Sequence, residues 1–84
     1  MTNTPQASPD LADLRQQIDS LDQQLLALVN QRARVAEQVG ELKKREGTPF
    51  FRPDRVAQVL QKIEAANPGP LRGSHVSAIW REIM

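Results

Sequence analysis

The 84-residue chain has no cysteine and no tyrosine, and its only aromatic residues are Phe50, Phe51 and Trp80. Without cysteine, neither a disulfide nor a thiolate-held metal can brace a chain near the lower size limit for a self-sufficient core. No charge of one sign dominates. Eleven Lys and Arg against 10 Asp and Glu leave a formal net charge of +1, far from the basic surplus that follows a nucleic-acid backbone. Apolar runs are only a few residues long, so nothing spans a bilayer. Residues 1–9 lack the charged start and apolar stretch of a secretory signal and read as a disordered lead. A soluble, reduced, cytoplasmic domain is the expectation.

Reactive constellations are missing too. His75 has no serine and acid arranged around it for triad chemistry. No HExxH, phosphate-binding loop or dinucleotide fingerprint occurs, and no set of metal ligands clusters. The sequence therefore calls for no cofactor and no metal.

What is abundant is helix former: Leu, Ala, Gln, Arg and Glu. No window alternates apolar and polar residues long enough for a strand, so the fold class is all-α. The first helix opens at Pro9 or Asp10, with Asp10 and Asp13 suited to the positive end of its dipole. Apolar residues then fall at Leu11, Leu14, Ile18, Leu21, Leu25, Leu28, Val35, Val39 and Leu42. The steps alternate three and four apart from one of seven between Leu28 and Val35, the pattern of one helix face held against another helix. Lys43, Lys44 and Arg45 suit the negative end, and Gly47 followed by Pro49 stops the helix.

A helix of about 36 residues is roughly 54 Å long, whereas a compact globule of this size has a radius of gyration of about 12 Å. It outgrows its own domain. A second helix starts at Pro53 with Asp54 behind it, presents Val56, Val59, Leu60 and Ile63, and ends at Asn67-Pro68-Gly69-Pro70. A third begins near Ser74 as N-cap and buries Val76, Ile79, Trp80 and Ile83. It reaches Met84 in mid-period without a capping signal, so the natural polypeptide is expected to continue. Residues 10–84 are thus one helical domain, truncated in its third helix. Two short helices cannot cover the long apolar stripe, and the expected cover is the same helix of another chain in an obligate homodimer.

One stripe position breaks the pattern. Of ten places from Leu11 to Leu42, nine are apolar and the tenth is Arg32. An unpaired buried charge costs several kcal/mol. Arg32 is therefore either a register-setting polar residue or part of an anion site in the bundle. Glu37 and Glu41 are not at the i±3 or i±4 places that would neutralise it, which favours an external anion. Lys43 projects within about 20° of Arg32 and roughly 16 Å along the axis, so the two long side chains can converge on one ligand. Read alone it is a solvated lysine, as Lys44 and Arg45 are. Arg15 lies about 25 Å from Arg32, too far for one chain to close both on a small molecule. In an antiparallel dimer it approaches Arg32 and Lys43 of the other copy; otherwise it is a surface arginine. Arg55, in the first turn of the second helix, opposes the dipole, a mildly unfavourable placement that hints at function. Arg52 reads as a loop residue. Cations without a nucleophile suit a reaction that needs electrostatic stabilisation and restraint alone.

The run Leu14-Arg15-Gln16-Gln17-Ile18-Asp19-Ser20-Leu21-Asp22, then Leu25-Leu26-Ala27-Leu28, Arg32 and Val39-Gly40-Glu41-Leu42-Lys43, resembles the all-helical chorismate mutases. Phe51-Arg52-Pro53-Asp54-Arg55, Gly69-Pro70-Leu71 and Ile79-Trp80-Arg81-Glu82-Ile83-Met84 are similar to the mutase domain of bifunctional chorismate mutase/prephenate dehydratases. The resemblance implies an intertwined dimer of three-helix protomers with two sites, each using both chains. It implies that Arg15 enters the partner's site to bind a substrate carboxylate, that Arg32 binds a carboxylate within its own site, and that Arg55 completes the cationic wall. Lys43 would hydrogen-bond the ether oxygen of the breaking C–O bond. The implied reaction is the rearrangement of dianionic chorismate to prephenate in phenylalanine and tyrosine biosynthesis, with a prephenate dehydratase domain fused in the full-length protein.

The chain departs from that pattern at three places. Val56 stands where the family usually has a Glu for the substrate hydroxyl. The family's Ser and Gln further along the third helix fall beyond Met84, and its acid before the second helix falls nearest Arg52. An apolar residue at 56 also suits isochorismate-pyruvate lyases of the same fold. A reading of another class is a non-catalytic helical dimerisation or regulatory module.

Overall fold

A computed structural model describes residues 9–48 and 53–84. The lead over residues 1–8, and the stretch holding Pro49, Phe50, Phe51 and Arg52, lie outside the described residues. The described residues form three helices: α1 (Leu11–Glu46), α2 (Pro53–Ala66) and α3 (Gly73–Ile83). No strand occurs among the described residues, and no helix there is long and apolar enough to cross a membrane. The all-α reading holds. The chain divides into two compact units between Glu37 and Gln38.

The first unit is built on α1, a single helix of 36 residues. Its start is locked by a reciprocal cap. The Asp13 backbone N–H donates to Asp10 Oδ1 at 2.8 Å, and the Asp10 N–H donates back to Asp13 Oδ2 at 3.4 Å. Two amides that the helix leaves without partners are thereby satisfied, an arrangement worth about 1 kcal/mol. No residue of α1 is buried. Leu25 and Leu28, midway along the stripe, are 59% and 61% exposed.

The second unit contains the end of α1 together with α2 and α3. Helix α1 ends as its composition directs. Gly47 adopts φ +73°, and the Thr48 N–H donates to the Lys43 carbonyl at 3.0 Å, closing the last turn. A side chain at Gly47 would be strained in this left-handed conformation. Helices α2 and α3 pack against each other around Leu60 and Val76, 7% and 3% exposed, with Val56, Val59, Ile63, Trp80 and Ile83 half-buried. Asn67 organises the turn between them. Its Oδ1 accepts from the Gly69 N–H at 3.0 Å, and its Nδ2 donates to the Leu71 carbonyl at 2.7 Å.

Two expectations for α3 are corrected. The helix begins at Gly73 with Arg72 as N-cap and no side-chain capping bond, so Ser74 lies inside it. Glu64 of α2 accounts for the shift. Its Oε2 accepts from Ser77 Oγ at 2.8 Å, and its Oε1 lies 3.2 Å from where a β-carbon on Gly73 would stand. The glycine admits the carboxylate to the first turn, where a negative charge favours the dipole. Ile79 is exposed, because one short neighbouring helix covers only one side of α3.

Candidate functional site

In the first unit, Arg15 stands on the second turn of α1, a helix start that the Asp10–Asp13 pair keeps from fraying. It is exposed. Arg32 occupies its stripe position between Leu28 and Val35, half-buried, and makes no ion pair among the described residues. Helical rise alone puts about 25 Å between these two arginines, so they do not meet within a chain.

In the second unit, Lys43 is half-buried on the last turn of α1. Its carbonyl takes two bonds from Thr48, one from the backbone N–H at 3.0 Å and one from Oγ1 at 3.4 Å, which ties down the backbone at Lys43. Arg55 is exposed in the first turn of α2, and Val56 beside it is half-buried.

Two hollows lined by described residues hold none of these cations. One, of about 500 Å³, opens beside the start of α1 at Pro9, Asp13 and Gln17. The other, of about 250 Å³, is apolar and lies between the end of α2 and α3, at Ile63, Leu71 and Trp80. No group of three or more potential metal-ligating side chains exists among the described residues. Sequence reasoning missed Glu64 and Ser77. A carboxylate and a hydroxyl 13 residues apart carry no periodic signal; only the packing of α2 on α3 joins them.

The chorismate mutase type II profile matches residues 14–84, from the helix that bears Arg15 to the end of α3. The chain belongs to that family. A bifunctional chorismate mutase/prephenate dehydratase of Pseudomonas aeruginosa is 44% identical over 79 residues, covering 88% of this chain and 22% of that protein. The chain thus spans about a fifth of the length of the bifunctional relatives it matches. A chorismate mutase of Methanocaldococcus jannaschii is 34% identical over 53 residues, 63% of this chain and 54% of that one. Among solved structures, a chorismate mutase of Thermus thermophilus superposes with a TM-score of 0.81 at 30% identity, covering 83% of this chain and 88% of that one. The chorismate mutase type II fold is thus the architecture on which Arg15, Arg32, Lys43 and Arg55 are displayed.

Proposed function

We propose that the chain is a chorismate mutase, rearranging chorismate to prephenate in phenylalanine and tyrosine biosynthesis, and that it works as a cytoplasmic homodimer. The family match over residues 14–84 carries this reading. It is supported by the four candidate site cations on the matched segment, Arg15, Arg32, Lys43 and Arg55, and by an α1 stripe that its own chain leaves exposed. Burying each Leu of that stripe against a second copy contributes about 1.5–3 kcal/mol, which favours a dimer.

The mechanism follows from charge and restraint. Chorismate carries two carboxylates, and its reacting conformer folds the enolpyruvyl arm over the ring. Arg32 of one copy and Arg15 of the other hold the carboxylates and keep the arm folded, which removes conformational entropy from the barrier. As the C–O bond breaks, negative charge builds on the ether oxygen, and Lys43 donates a hydrogen bond to it. A preset donor of this kind favours the transition state over the ground state. Arg55 adds positive potential to the wall. Bond making and breaking are concerted within the substrate, so the chain supplies no nucleophile, base or cofactor. In a longer polypeptide, the fused domain would be a prephenate dehydratase, as named for the bifunctional relatives.

The test is the disappearance of chorismate absorbance, with prephenate identified as product. Conversion that vanishes in Lys43→Ala while the chain remains a helical dimer supports the reading. Pyruvate release from isochorismate, without prephenate from chorismate, overturns it in favour of the lyase. Inertness toward both substrates would leave a dimerisation module.

A further inference from the structure

Lys43, the donor assigned above to the ether oxygen, stands where a helix is least hospitable to an anion. It lies on the last turn of α1, and a helix leaves about −0.5 of an elementary charge at that end. Acids flank it as well, Glu41 two residues before and Glu46 three residues after, both exposed. With Lys43 as the only cation, this helix end would be negative. A dianion would be repelled before it came within hydrogen-bonding reach.

Two further cations reverse that sign. Lys44 and Arg45 complete the run Glu41-Leu42-Lys43-Lys44-Arg45-Glu46, so three cations stand among two acids. Both are exposed, and neither makes an ion pair among the described residues. Glu41 lies at the i−3 place from Lys44 and the i−4 place from Arg45, so helical reach alone would have allowed one. Their charges are left to act through solvent. They follow Lys43 by about 1.5 and 3 Å along the axis and are turned from it by about 100° and 200°. They therefore point away from Lys43 while staying about as near as the Debye length, about 10 Å at 0.1 M salt.

The chain as a whole is divided in the same sense. Residues 1–37 hold three Lys and Arg against five Asp and Glu, a formal charge of −2. Residues 38–84 hold eight against five, a formal charge of +3. The near-neutral total conceals a positive unit, and that unit carries Lys43 and Arg55.

We propose that Lys44 and Arg45 are a capture pair, which offsets the acids and the dipole at the end of α1 and draws a dicarboxylate to Lys43 without touching it. The proposal rests on the mutase reading above and adds two residues and their role. A field of this kind acts alike on bound substrate and transition state, so it lowers KM and leaves kcat unchanged. It also fades with salt, whereas a contact within a pocket is screened much less.

Chorismate turnover at ionic strengths of about 10 mM and 1 M tests it, where the Debye length is about 30 Å and 3 Å. At the lower value K44Q/R45Q should raise KM about fivefold and K44E/R45E about 25-fold, with kcat unchanged. Two unit charges about one helix diameter, roughly 12 Å, from a dianion in water give effects of this size. The single variants K44Q and R45Q, which disturb the helix end least, should each raise KM about twofold. In 1 M salt all of them should match the parent. K44R/R45K keeps the charge and should match it in both conditions. A K44Q/R45Q chain with the parent's KM at low salt overturns the capture role and leaves the mutase reading standing. A deficit that persists in 1 M salt, or one seated in kcat, overturns it too, since that marks a contact or a structural role. A parent that converts no chorismate overturns the mutase reading itself.

Discussion

The apolar stripe of α1 and the apolar seam between α2 and α3 are made of the same residue types, yet they meet opposite fates. Leu60 and Val76 are buried within their own chain; no residue of α1 is. The seam joins two helices of 14 and 11 residues through a turn that Asn67 ties together. The stripe belongs to a helix of 36 residues, longer than anything its own chain offers to lie against it. Hydrophobic patterning specifies that a face will be covered. Length decides by whom.

That contrast can be broken from either side. The largest effect is expected from Leu25→Glu combined with Leu28→Glu, which puts charge at the centre of the stripe. Sedimentation should show a monomer and chorismate turnover should vanish, because burying unpaired carboxylates outweighs the remaining contacts. Next, Lys43→Ala should lower kcat about 100- to 1000-fold, the usual cost of losing one preset donor, with the circular dichroism spectrum unchanged. Leu60→Ala acts on the seam instead. It should destabilise the fold by about 2–5 kcal/mol in denaturant titrations, through the cavity it leaves.

Arg32→Met sharpens the comparison, since it completes the apolar stripe at the site's expense. The dimer should gain about 1–4 kcal/mol in stability while mutase activity is lost. A loss of both would show that Arg32 is structural. The smallest effect is expected at Ser77→Ala, where losing the bond to Glu64 should cost about 0.5–1.5 kcal/mol in thermal unfolding, with activity kept.

Much of this architecture was legible because its signals are local. Gly47 and Thr48 end α1 through backbone geometry that Gly alone announces, and Pro53 opens α2 where a missing N–H is harmless. The start of α3 was misread because it depends on Glu64, which reaches over Gly73 from another helix. Ile79 was misread because periodicity marks a face without saying how much of it one neighbour can cover. For the site, the cations were visible as exceptions: Arg32 in an apolar row, Arg55 against a dipole. A meeting of Arg15 with Arg32 could not be read there, because no spacing along one helix brings the two together.

The span of about 25 Å between those two arginines on one unbroken helix has a genetic consequence. If the pocket is the two-chain one proposed, chains carrying Arg15→Ala and chains carrying Arg32→Ala should each be inert as pure preparations. Unfolded together and refolded as a mixture, they should form hybrids in which one pocket collects both defects and the other receives two intact arginines. Two dead alleles would then complement, recovering about a quarter of the wild-type rate if the subunits assort at random in a two-fold assembly.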